Sequence, residues 1–275
     1  MTDHYIHGSS AKERQRLALM NSLINEACLK TLALSNEKRV LDVGSGTGQF
    51  SRLMAKQLAA NATVIAVEHN PDQVQAALQL TEEKAVGCIV DFRIGDAAHL
   101  PLEENEIGCI DLAHARFLLE HVTDPAAAVR AMVAVVRPGG RIVLADDDHE
   151  LMRFWPEPAG LMAAWTAYYR SYASSGTDPL VGRKLVGLLS DAGARPSFVT
   201  QVFYGACAGM SQFHGVVDNL AGVLKGARSI VLAAGEISAR NYDAALVNLR
   251  KFQEIPDAAL WYVINWAEAR APELR

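Results

Sequence analysis

The chain has 275 residues, 26 lysines and arginines against 31 aspartates and glutamates, a net charge of −5 and an apolar share of 50%. At roughly 100–200 residues per domain this is one large domain or a domain with a sizeable addition, and so apolar a chain is not a disordered one. Mild acidity argues against a grip on nucleic-acid phosphates, and no apolar run approaches the roughly 18 residues of a membrane span.

In chain order, Tyr5-Ile6-His7-Gly8 and the charged Lys12–Arg16 lead into a helix, residues 9–34, with Leu17, Met20, Leu23 and Ile24 on one side. Arg39–Val43 reads as a strand, Gln49–Ala60 as a helix and Thr63–Val67 as a second strand. Asn70-Pro71 then supplies a cap and a first-turn proline for the next helix. Cys88–Ile94 and Cys109–Ala113 read as strands three and four. Asp124-Pro125 starts a helix that Arg137-Pro138-Gly139-Gly140 stops, and Arg141–Ala145 is strand five. Alternating strands and helices, with continuously apolar strands, predict an α/β, doubly wound and mostly parallel sheet.

The second half reads differently. Pro156–Ser175 is mostly helical, with Trp165, Tyr168, Tyr169 and Tyr172 at helical spacing, and Asp178-Pro179 is expected to cap a helix to about Asp191. Arg195–Tyr204 and Trp261–Trp266 read as two more strands, for seven in all. The expected organisation is a single domain, 1–275. Its core is residues 36–204 plus a final strand at 258–267, with a lid helix at 9–34 and helical cap segments at 150–192 and 205–255. Cys28, Cys88, Cys109 and Cys207 are scattered without a Cys-x-x-Cys pair, which predicts reduced thiols and neither disulfide framework nor zinc site. Met1–Tyr5 lacks the basic stretch of a signal peptide, so a cytoplasmic location is expected.

The strongest segment is Val40-Leu41-Asp42-Val43-Gly44-Ser45-Gly46-Thr47-Gly48-Gln49-Phe50. A glycine turn between the first strand and helix lets a ligand approach the backbone at the sheet's carboxyl edge. A dinucleotide fold would need glycine where Gln49 stands, and no phosphate-binding lysine follows. With these residues and the strand-end acids after it, residues 39–204 resemble the class I S-adenosylmethionine-dependent methyltransferases. Within that fold they are most similar to the small-molecule branch that includes the ubiquinone and menaquinone methyltransferases.

The resemblance implies a seven-stranded Rossmann-like methyltransferase fold and a small-molecule methyl acceptor. It also implies that the Asp42, Gly44, Ser45, Gly46 and Gly48 turn faces the methionine part of S-adenosylmethionine. Glu68, with His69 beside it, would accept from the ribose hydroxyls, and Asp96-Ala97 would bind adenine. His114-Ala115-Arg116 would border the methyl group. Arg16 is expected to pair with the methionine carboxylate and Tyr5 to pack near the sulfonium, the alternative being a solvated helix arginine and a frayed tail.

Methyl transfer is an in-line displacement, so the protein mainly aligns atoms about 3–3.5 Å apart, and a protonated nucleophile also needs a general base. Asp148 and His149, after strand five, are the base candidates; the alternative is a solvated acidic loop. Consecutive aspartates Asp146–Asp148 on an extended segment face alternate ways, so no metal is expected. His121 reads as structural, and Arg183 would meet an acidic acceptor group. The aromatic stripe is either ordinary packing or a pocket wall. Two rivals share much of this reading: a binding protein that holds S-adenosylmethionine or S-adenosylhomocysteine without turnover, and a nicotinamide-dependent oxidoreductase. No Asn/Asp-Pro-Pro-Tyr/Phe segment follows strand four and no basic appendage is present, so nucleic acid is not the expected partner. Monomer and homodimer are equally compatible with the pattern.

Overall fold

A computed structural model describes residues 11–80 and 88–273. Its main sheet contains β1 (Arg39–Val43), β2 (Thr63–Glu68), β3 (Ile89–Ile94), β4 (Ile110–Arg116), β5 (Val136–Asp146), β7 (Arg195–Phe203) and β10 (Val263–Arg270). Seven strands lie in the order β3-β2-β1-β4-β5-β10-β7. Only β10 runs antiparallel to its neighbours. Strand order therefore reverses between β1 and β4, and the crevice outside their carboxyl ends is where such sheets bind ligands. Val40, Leu41 and Val43 are buried on both faces, as a covered parallel strand requires.

The helices of this half are α2 (Gln49–Gln57), α3 (Pro71–Gln79) and α4 (Pro125–Val135). Asn70 accepts from the Asp72 and Gln73 N–H groups, and Asp124 from that of Ala127, so both cap-plus-proline signals are realised. Arg137–Gly140 stops α4 but lies inside β5, where pairing slips from Ile110–Val136 to Leu112–Arg141.

The cap has its own core. β6 (Arg153–Trp155), β8 (Ala206–Cys207) and β9 (Ala259–Trp261) form a small sheet, packed with α5 (Leu161–Arg170), α7 (Phe213–Ala233) and α8 (Ala239–Phe252). Trp165, Tyr168, Tyr172, Phe213, Tyr242 and Phe252 are buried there, so the aromatic stripe is packing. The expected strand at 261–266 divides: β9 joins the small sheet, and β10 begins at Val263. Asp178 does not cap a helix. Its carboxylate accepts from the Leu180 N–H in a turn, ahead of a 3-10 stretch and α6 (Leu185–Asp191).

Helix α1 (Ala11–Leu32) links the halves. It packs against α2 and β7, and lies along α7, where Gly215 sits beside Leu19 and Leu23 and Gly222 beside the Arg16 stem. Among the described residues no helix is long and apolar enough to cross a membrane.

Candidate active site

The Gly44 and Ser45 N–H groups both donate to the Val67 carbonyl, at 2.8 and 3.0 Å, and fold the turn onto β2. Glu68, ending β2, accepts from the Gly46 and Asn70 N–H groups, each at 2.9 Å. Burial raises its carboxyl pKa, and those donors offset part of the rise. Gly48 has φ 70°, and a Cβ there would come 2.3 Å from the Phe92 ring; only glycine fits.

Asp42, expected to face the methionine part of the cofactor, is engaged by protein groups. It is 3% exposed, and its oxygens take the Ser51 hydroxyl at 2.5 Å and His114 Nδ1 at 2.9 Å. A carboxylate satisfied this way ties α2 and β4 to β1. His114, over Phe50 and near Trp266, keeps a buried Nε2 without a partner. Ala115 is 1% exposed inside the sheet core, so its side chain reaches no ligand.

Arg116, the last residue of β4, lies over the Phe50 ring with 4.2 Å between guanidinium carbon and centroid. Its Nη2 donates to Asn21 and Asn25 of α1 at 2.9 and 2.8 Å, while Nη1 is buried without a partner. Arg16 turns elsewhere than expected: Nη1 donates to Asn219 of α7 at 2.9 Å, and its charge acts on Glu120 and His121. Tyr5 lies outside the described residues. Asp96 is exposed at the end of β3 and accepts from the Ala98 N–H, leaving carboxylate capacity free; Ala97 is half-buried and His69 exposed.

The end of β5 separates the two base candidates. Asp148 is locked, because the Arg183 guanidinium grips both its oxygens at 2.7 and 2.6 Å and the Glu150 N–H adds a third bond. Both Asp148 oxygens are thus taken, which argues against a role as base, and Arg183 is engaged by Asp148 and Glu150. His149 stays in play. Its Nε2 is 2.8 Å from Glu120 and its Nδ1 3.4 Å from the Tyr262 hydroxyl, inside a shell of Trp165, Tyr168 and Tyr172. Burial lowers the imidazole pKa and pushes the Glu120 carboxyl up to about 8. Burial and the Glu120 charge also hold Asp147 well above the usual range.

Glu120 and Asp147 are what the sequence reading passed over. With His149 they place ligand-type atoms within 4.8 Å of one another, a different set from the consecutive aspartates. Asp146 is structural, accepting from the Leu118 and Leu119 N–H groups at 3.1 and 2.7 Å. Gly182 permits all this. A Cβ there would lie 2.6 Å from the Asp146 and Asp147 carbonyl oxygens.

These residues fit the expected cofactor. Among the described residues Ser45 Oγ, Arg116 Nη1 and Asp147 Oδ1 are buried polar atoms without partners, all at the carboxyl ends of β1, β4 and β5. An adenosine with an amino-acid chain offers what Ser45 and Arg116 lack, with Glu68 and Asp96 as acceptors at the next two strand ends, while Asp147 stays open on the acceptor side.

Comparison with known proteins agrees. The family described as a methyltransferase domain matches residues 34–186. An uncharacterised 37.1 kDa protein of transposon Tn4556 from Streptomyces fradiae is 34% identical over 177 residues, 61% of this chain and 47% of that one. The ubiquinone/menaquinone biosynthesis C-methyltransferase UbiE of Cellvibrio japonicus is 28% identical over 188 residues, 64% and 73% of the two chains. The match thus spans about half of the Streptomyces protein and about three quarters of the Cellvibrio one. Among solved structures, YcgJ of Bacillus subtilis aligns with a TM-score of 0.57 at 17% identity, covering 91% of this chain and 98% of that. The [4+2]-cyclase SpnF gives 0.53 at 21%, covering 95% and 82%. At such identities the structures speak for the fold.

Proposed function

We propose that this chain, which belongs to the methyltransferase-domain family of the class I S-adenosylmethionine-dependent type, methylates a small molecule held between the sheet edge and the cap. The observation that carries the reading is the run of unpartnered buried polar atoms at the carboxyl ends of β1, β4 and β5. Bound S-adenosylmethionine supplies an electrophilic methyl on a sulfonium. Glu68 holds the ribose, Asp96 and the Ala97 backbone hold adenine, and the Gly44–Gly48 turn lets the chain approach closely.

His149 is the proton-handling residue. Glu120 fixes the ring's orientation through Nε2, and the pair holds one proton between them, since burial disfavours two separated charges. Asp147, beside it with one oxygen without a partner among the described residues, is the base in its ionised form: burial makes that carboxylate the stronger base, and it takes up the proton that leaves an acceptor. The aromatic shell keeps water from this pair. Relatives named for ubiquinone and menaquinone biosynthesis support a small organic acceptor, and the cap's distinct core is what sets it. Both a monomer and a homodimer are compatible with this function. The reaction is placed in the cytoplasm, away from membrane and nucleic acid.

The test is incubation with methyl-labelled S-adenosylmethionine and a metabolite extract. Label in a small molecule together with S-adenosylhomocysteine supports the reading. Tight S-adenosylhomocysteine binding without label transfer favours a non-catalytic binder.

A further inference from the structure

We infer that Arg116 is the residue that selects the cofactor by its amino-acid carboxylate, and that Asn21 and Asn25 of α1 hold it in position to do so. This deepens the proposed function and rests on it. Three observations converge on the guanidinium.

The first is position. Ala115 pairs with Val43, the last residue of β1, so Arg116 stands level with Gly44 at the point where strand order reverses. The second is an unanswered charge. Arg116 is 9% exposed, and among the described residues no carboxylate pairs with it. Among the described residues its partners are two neutral amide oxygens and the faces of Phe50 and Phe117, and Nη1 has none. A buried cation with one open donor is costly unless an anion completes it. The third is rigidity. Asn21 and Asn25 are four residues apart on α1, hence on one helix face, and both oxygens converge on Nη2. That leaves Nη1 aimed and pre-organised, which a carboxylate can use without further ordering of the arginine.

Arg16 does not compete for this role. Its Nη1 is engaged by Asn219, across α7, and its charge acts on Glu120 and His121. The arrangement also gives α1 a purpose beyond covering the sheet: two of its side chains build the subsite from outside the strand-and-turn motif.

The test compares S-adenosylhomocysteine with its decarboxylated analogue, 5′-deoxy-5′-(3-aminopropylthio)adenosine, by calorimetry. The analogue keeps the adenosine, the sulfur and the amine and lacks only the carboxylate. Wild type should prefer S-adenosylhomocysteine about tenfold to a hundredfold, the range of one charge-assisted hydrogen bond. In Arg116→Gln that preference should collapse to about twofold, with the analogue's affinity unchanged. The analogue thereby also reports that the variant is folded. Should Arg116→Gln fail to fold, the double variant Asn21→Ala/Asn25→Ala leaves the arginine in place and should reduce the preference about threefold or more. An unchanged preference in either folded variant overturns the assignment, as does equal loss of both ligands. If wild type binds neither compound, the proposed function itself fails.

Discussion

The two ends of the parallel strands' crevice are built on opposite principles. On the cofactor side, β1, β2 and β3 each end in a residue whose role follows from the next few positions: Gly44–Gly48, Glu68 with Asn70, Asp96 with Ala98. On the acceptor side, Glu120, His149 and Tyr262 come from segments up to 142 positions apart (Glu120 to Tyr262) and meet only because the cap packs. Local geometry makes one half, and long-range burial makes the other. Burial raises carboxyl pKa values in both halves, but at Glu68 backbone N–H donors offset part of the rise, whereas Glu120 and Asp147 have side chains and not backbone donors against them.

The contrast can be broken most severely at Asp42. Asp42→Ala leaves the Ser51 hydroxyl and the His114 ring buried without their partner, an expected loss of about 3 kcal/mol by urea denaturation. Gly182→Ala tests the junction of the halves. The new methyl meets two carbonyl oxygens of the β5 end, so a loss of about 2 kcal/mol is expected, read as a lower melting temperature.

A pH series on Glu120→Gln sharpens the difference. In the fold Glu120 stays protonated up to about 8, while the unfolded chain ionises it near its ordinary value of 4.5. The folded state therefore binds the extra proton across that window, and stability falls as pH rises through it. His149 and His121 act in the opposite sense, burial holding both neutral, so they subtract stability as pH falls below 6.5. Glu120→Gln removes only the alkaline loss, and its melting temperature should gain on wild type from about pH 5 to about pH 8. The smallest effect is expected at Asp148→Asn. Asp148 is buried, but its Arg183 partner is 43% exposed and keeps Glu150, and the amide oxygen of the variant still accepts, so about 1 kcal/mol is lost and methyl transfer is retained.

How much was legible follows the same division. The glycine turn, Glu68 and both cap-plus-proline helix starts could be read because each depends on neighbours within a turn or so of chain. The resemblance implies that Asp42 faces the ligand, yet its partners are Ser51, nine positions on, and His114, seventy-two positions on. Read from sequence, the segment after strand five offers Asp148 and His149 as base candidates and leaves Asp147 aside. Only the position of Arg183 reverses that choice, and no spacing rule brings residue 183 to residue 148. Glu120 gave a faint signal as an acid beside His121 just after β4. The division of the last strand into β9 and β10 gave none, since the turn between them is one residue, Tyr262.

The central claim, a cofactor site at the carboxyl ends of β1, β2 and β4, is tested most directly by calorimetric titration with S-adenosylhomocysteine on wild type and Glu68→Ala, with NADH as control. Micromolar binding to wild type, weakened about tenfold or more in the variant and absent for NADH, is the expected result. NADH binding, or S-adenosylhomocysteine affinity indifferent to Glu68, would contradict it.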